Sequence, residues 1–284
     1  MPVGALVLVL AAAICHTTWN LLLKRAPERL TTQAGALAWG VVLASPVLAF
    51  YSPRDVPAGA WVLIAASAAF ETGYAFSLSA AYGAGDLSLV YPVARGSASL
   101  LVVPLAILLL GERPSPSGFV GIALVLAGVF GSDVRAFGRE PLGAGRRRAL
   151  GLALLTGAMI AGYSLVNKAG VGRVAVPLYA YLVFLLNVTM VYLVTGARGR
   201  PLPIPRPAAW PRTALMGALM VSAYLAVLTA MSLAPVSYVV AAREVGIVVA
   251  AVLGTLVLGE PHSVGRVTAA VVVFAGLVVL ALSR

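Results

Sequence analysis

YPVARGSASLLVVPLAILLLGERPSPSG (91–118) and VVAAREVGIVVAAVLGTLVLGEPHSVGR (239–266) are two copies of one pattern, 148 residues apart. That displacement sets Arg95 on Arg243, Gly111 on Gly259 and Glu112 on Glu260, and the match runs on through Gly128 and Gly276. Each copy is an apolar run of about twenty residues, the length a helix needs to cross a bilayer. Each carries one arginine well inside the run and closes on a Gly-Glu turn. Nearer the start of each half the better displacement is 144, which pairs Trp19 with Tyr163 and Lys24 with Lys168. The longer loop after the seventh run absorbs the difference.

Working outward from these copies, apolar runs bounded by Gly, Pro and charged residues fall at about 2–24, 31–51, 58–82, 87–110, 114–132, 147–169, 175–195, 210–233, 237–258 and 263–283. Ten runs in two related sets predict an all-α membrane protein of ten transmembrane helices, built as two five-helix repeats over 1–132 and 147–284. An odd number of helices per repeat brings the second copy into the membrane from the opposite side. The repeats are then inverted about an axis in the membrane plane, and such folds bind solute where the repeats meet and alternate access by rocking one against the other.

Composition agrees with a lipid solvent: 61% of the 284 residues are hydrophobic and 10% are charged, against roughly 25% charged in soluble domains. The net charge of +11 lies almost wholly between the apolar runs, where it reads as topology and anionic-lipid contact and not as a nucleic-acid surface. Cys15 is the only cysteine, so an intrachain disulfide and a multi-cysteine metal site are excluded. The stretch ending at Cys15 lacks a basic leader and a small residue before the cysteine, and reads as an uncleaved first helix. Loops after helices 1, 5, 7 and 9 hold 13 Lys and Arg against 5 on the other side. The positive-inside rule then places those loops in the cytoplasm and both termini outside.

LGERPSPSGFVGIALVLAGVF (110–130) and LGEPHSVGRVTAAVVVFAGLVVL (258–280) resemble the paired ends of the EamA repeat of the drug/metabolite transporter superfamily, and HTTWNLLLKRA (16–26) resembles its opening helix. The resemblance covers essentially the whole chain. It implies a carrier of ten helices in a bacterial inner membrane, moving amino acids, metabolites, nucleotide sugars or drugs in different members. It also implies cytoplasmic termini more often than not, opposite to the charge count.

Candidate site residues follow from cost. A charge at a membrane helix centre costs about 2.5–3.5 kcal/mol on insertion scales, so intramembrane ionisable groups are expected to be functional. There are four: Glu71, Arg95, Arg243 and Glu244. Arg95 and Arg243 lie about 12 and 9 Å into helices that start from opposite faces, so both can reach the midplane. Two convergent guanidinium forks suit a carboxylate or phosphate. The alternative is structural, with Arg95 paired to Glu71 and Arg243 to an acid or carbonyls of its own side. Glu71 is expected either as that counter-ion or as a proton-coupling group, and Glu244, adjoining Arg243, should face a neighbouring helix.

His16, Trp19 and Asn20 form a polar stripe on helix 1, lining a cavity or bonding across to another helix. Tyr74, Tyr91, Tyr163 and Tyr224 are candidate pocket walls. Gly111, Glu112, Gly259 and Glu260 read as structural turns, each carboxylate meeting the positive N-terminus of the next helix. No HExxH pair, paired catalytic Asp motif or Ser-His partnership is present, so an enzyme is not expected, and no cofactor or metal is implied. Expected partners are a small-molecule substrate, the lipid bilayer and, at Glu71, a coupling proton; the chain is expected as a monomer or homodimer. The favoured substrate is a small polar or anionic metabolite, an amino acid or organic anion. The rival is export of hydrophobic cations or drugs, with Glu71 and tyrosine faces as the cation site.

Overall fold

The computed structural model describes residues 1–85, 87–131, 143–246 and 264–283. Among them the chain is all helix, with ten α-helices in chain order. They are α1 (Val3–Lys24), α2 (Arg29–Ala44), α3 (Ala58–Ala84), α4 (Leu87–Leu110), α5 (Pro116–Gly131), α6 (Ala144–Val171), α7 (Val176–Ala197), α8 (Trp210–Leu233), α9 (Val236–Ala242) and α10 (Val264–Leu282). Seven are long and apolar enough to cross a bilayer, α2 by running on through a 3-10 turn to Ala49, and α5 and α10 are shorter apolar helices. The expected ninth helix over 237–258 is not continuous: α9 ends at Ala242, and residues 247–258 lie outside the described residues.

The packing is that of two inverted five-helix repeats. Exchanging each helix for its counterpart five places along turns one set of contacts into another. The α1–α8 pair becomes α6–α3, α2–α8 becomes α7–α3, and α4–α6 becomes α9–α1, while α2–α7, α4–α9 and α5–α10 map onto themselves. All these pairs join one half to the other, so neither half makes its core alone. The N-terminal ammonium donates to the carbonyls of Leu280 (2.9 Å) and Ser283 (2.7 Å), which puts both chain ends at one face, as an even number of crossings requires.

Helices in lipid gain nothing from hiding apolar surface from one another, so close approach depends on small residues. At the α5–α10 crossing a methyl group on Gly276 would sit 2.8 Å from the Val125 nitrogen and 2.9 Å from the Gly121 carbonyl oxygen. A methyl on Gly121 would meet the Gly276 carbonyl at 3.1 Å. The contact is reciprocal: each glycine's missing side chain makes room for the main chain of the other helix.

Helix ends are closed by side chains from other helices, in most cases of the opposite half. Gly111, at φ 67°, gives α4 its left-handed cap, and the Glu112 N–H reaches back to the Ala106 carbonyl at 3.2 Å. The Glu112 carboxylate does not meet the following helix, as the sequence suggests, but α9. It accepts from the backbone N–H of Val236 (2.6 Å) and Ser237 (3.1 Å) and from the Ser237 hydroxyl (2.7 Å). The N-terminus of α5 is taken instead by the Tyr238 hydroxyl, 3.0 Å from the Ser115 nitrogen. Lys168 lies in the last turn of α6, not in a loop, and donates to the Met231 (2.6 Å) and Ala234 (2.9 Å) carbonyls at the end of α8. Arg212 does the same for α1 by donating to the Leu22 carbonyl. Gly259 and Glu260 lie outside the described residues.

Candidate solute cavity between the repeats

The arginine expected on α4 is committed to the other repeat. Arg95 forms an ion pair with Glu244 at 3.3 Å and donates to the main-chain carbonyl of Arg243 at 3.1 Å. Ser99, one turn along α4, donates to the same Glu244 oxygen at 3.0 Å. Arg95 and Glu244 are buried to 5% and 1% exposure, and burying charge is sustainable only with such pairing. The expected Arg95–Glu71 pair is therefore absent: Glu244 is the counter-ion, reached across the interface between the halves.

This pairing coincides with a break in α9. Up to Arg243 the ladder is α-helical, its N–H bonded to Val239; the Glu244 and Gly246 N–H groups bond three residues back, to Ala241 and Arg243. Two carbonyls of this turn also accept from side chains of the first repeat, that of Arg243 from Arg95 and that of Gly246 from the Thr17 hydroxyl of α1 at 3.2 Å. Broken helices in membranes are tolerated where protein or a cavity satisfies them.

A cavity of about 640 Å³, counted to its open mouth, lies between the halves beside this break. Its walls come from α1 (Ala12, His16, Trp19), α2 (Gln33, Leu37), α3 (Glu71, Tyr74), α6 (Tyr163, Asn167), α7 (Phe184, Asn187), α8 (Met220, Ala223, Tyr224, Val227) and Arg243. Of the sequence candidates, then, His16, Trp19, Glu71, Tyr74, Tyr163, Tyr224 and Arg243 face it. Arg95, Glu244, Tyr91 and Asn20 are not among its walls. Of the two arginines, Arg243 is among the walls and Arg95 is not.

The reasons are local. Asn20 is used in packing, donating to the His16 carbonyl (2.9 Å) and accepting from the Tyr82 hydroxyl (3.4 Å). Tyr91 is turned toward the α9 break, where its hydroxyl would lie 3.4 Å from a methyl on Gly246. Trp19 meets His16 edge to face at 4.9 Å, and Tyr74 meets Tyr163 at 6.0 Å. The Arg243 guanidinium lies beside the Tyr163 hydroxyl. Among the described residues no carboxylate is within ion-pair distance of it.

The same cavity wall carries an acid on amide supports. Glu71 accepts from the Asn187 amide through Oε2 at 3.3 Å, and the Thr72 hydroxyl donates to the Asn187 oxygen at 3.1 Å. Below it the Asn167 oxygen accepts from Ser67 (2.6 Å), Tyr179 (3.0 Å) and Tyr224 (3.3 Å). The remaining oxygens, Oε1 of Glu71 and Oε1 of Gln33, are buried without a hydrogen-bond partner. Among the described residues the cavity wall thus combines the Arg243 cation with two acceptor oxygens that have no hydrogen-bond partner.

Gln33, Asn167, Asn187 and Phe184 are wall residues that the sequence reading did not single out. Asn187 had a signal, being the one amide in the apolar stretch VPLYAYLVFLLNVTMV. Asn167 stands one turn from Tyr163, the same spacing that drew attention to His16 and Asn20. Gln33 lies near a helix start, where an amide is unremarked.

Both halves of this architecture match one family: residues 3–132 and 147–282 each correspond to the EamA-like transporter family. The chain belongs to that family. It is a multi-pass membrane transporter of the drug/metabolite transporter superfamily, a group of carriers and not of enzymes. A solved structure described only as the crystal structure of a protein matches this EamA-like chain with a TM-score of 0.79 at 17% identity, over 99% of this chain and 98% of that one. At that identity the likeness speaks to the fold. No curated protein sequence matches it.

Proposed function

We propose that this EamA-like transporter is a secondary carrier for neutral amino acids with an apolar side chain, working by alternating access in a bacterial inner membrane. One observation carries the reading: Arg243 and Glu71, whose Oε1 has no hydrogen-bond partner, line a single cavity. A lone carboxylate would satisfy Arg243 and leave Glu71 facing it, and a lone cation would do the reverse. A zwitterion satisfies both, its carboxylate taken by the planar guanidinium fork and its ammonium by Glu71 and Gln33. Trp19, Leu37, Phe184, Met220 and Val227 supply the apolar remainder of the wall, the usual division of labour in a small-solute site.

The mechanism that fits this geometry places the solute on groups from both repeats, Glu71 from the first and Arg243 from the second. Rocking the halves changes which face reaches the cavity without dismantling the site. Counterflow in proteoliposomes tests it. Radiolabelled leucine accumulates against preloaded unlabelled leucine, and Arg243→Gln or Glu71→Gln abolishes the accumulation; if leucine never exchanges while an amine or a carboxylate without its opposite charge does, the zwitterion assignment is wrong.

A further inference from the structure

We propose that Arg95 is a positioning residue for the cavity, acting through the backbone of its own repeat counterpart, Arg243. The two arginines occupy equivalent places, 148 residues apart, yet one is a wall residue and the other is not. What separates them is the turn at Arg243–Glu244. Arg95 donates to the carbonyl of Arg243 and pairs with Glu244, so it holds the residue on each side of that peptide unit. Ser99 fixes Glu244 from the same helix, and Thr17 holds the Gly246 carbonyl from α1. Three hydrogen bonds and one ion pair from the first repeat thus maintain a tightened turn in the second.

An uninterrupted α-helix would advance each side chain by about 100° per residue, and the tighter i→i−3 turn at 241–246 alters where residue 243 points. With the break held, the Arg243 side chain lies beside Tyr163 at the cavity while Glu244 turns away to α4. On this view the duplicated arginine has divided its work, one copy holding the backbone that aims the other. The inference rests on the reading of the cavity as the solute site only for its functional meaning; the aiming itself can be measured without any solute.

In a Cys15→Ser background, Arg243→Cys leaves the main-chain carbonyl that Arg95 holds and places a thiol at the aimed position. A small water-soluble methanethiosulfonate labels that thiol from the cavity. Adding Arg95→Gln slows labelling about tenfold, the loss expected when a charge-assisted hydrogen bond is removed, while Arg95→Lys, which keeps a cationic donor, slows it less than about threefold. Labelling with Arg95→Gln at the parent rate would overturn the proposal, because position 243 would keep its direction unaided. Should Arg95→Gln fail to fold, Glu244→Gln carries the test, since it removes the ion pair and leaves the bond to the 243 carbonyl. Labelling slowed about threefold or more supports the proposal, because half of Arg95's hold on the turn is gone; labelling at the parent rate would overturn it. Failure of leucine exchange with normal labelling would count against the solute assignment alone.

Discussion

Nη2 of Arg95 lies 3.1 Å from the carbonyl oxygen of Arg243, the residue that stands in Arg95's own place in the other repeat. A duplication that began with two equivalent intramembrane arginines has arrived at an asymmetric pair, in which one supports the main chain of the other. Of the two guanidinium groups of the doubled motif, the one on Arg243 belongs to a wall residue of the cavity and the one on Arg95 does not.

The cost of disturbing that support is predictable in sign. Removing one member of a buried ion pair costs about 3–5 kcal/mol because the other is left uncompensated, whereas removing both is far milder. Arg95→Gln and Glu244→Gln should each lower the melting temperature of the detergent-purified protein, and the double variant should melt above the Arg95→Gln single. A double variant that melts below both singles would show the pair to be net stabilising beyond its mutual compensation.

At the interface end of α4, Glu112 closes the first turn of α9 with three hydrogen bonds. Glu112→Gln keeps the shape and loses the charge, and is expected to cost about 1.5–3 kcal/mol, with Ser237→Ala costing less because both backbone donors stay capped. Melting curves of the two variants check the order.

The α5–α10 crossing tolerates no added carbon. Gly276→Ala should destabilise by about 1–3 kcal/mol, since its methyl would meet main-chain atoms under 3 Å away that cannot swing aside. Gly83→Ala, at a helical position with nothing within 4 Å, should be neutral or slightly stabilising. Equal melting temperatures for the two variants would mean that the helices part at that crossing without cost.

Orientation follows from the basic loops. With Cys15→Ser as background, a single cysteine at Pro2 should react with membrane-impermeant maleimide added to intact cells, and one at Arg200, in the exposed basic loop after α7, should react only after permeabilisation. The reverse pattern would place both termini in the cytoplasm.

Much of the fold was legible because a bilayer imposes a length on its helices. The runs at 58–82 and 87–110 differ from α3 and α4 by two residues at most, and the Arg95/Arg243 register predicted the two-fold relation of the halves. The break in α9 was not legible. The stretch VVAAREVGIVVAAVLG contains no proline, and the interruption depends on carbonyl partners supplied by Thr17 and Arg95 from distant helices. The Arg95–Glu71 pairing failed for a related reason. Proximity in depth does not reveal which interface a side chain enters, and α4 turns Arg95 toward α9 while α3 turns Glu71 toward α7 and α8. The buried amides escaped notice because the cost of burying a charge, which singles out Glu71 and Arg243, does not single out a neutral amide.

The central claim is that one cavity holds a cation and an acid for the two ends of one solute. It is met most directly by thermal stabilisation of the purified protein with leucine, 4-methylpentanoate and isopentylamine, three compounds with the same isobutyl group that differ in which charges they carry. Leucine should raise the melting temperature and each singly charged relative should do so at least about tenfold more weakly, with Arg243→Gln and Glu71→Gln erasing leucine's advantage. Stabilisation by isopentylamine with none by leucine would contradict the account and make Glu71 the centre of a cation site.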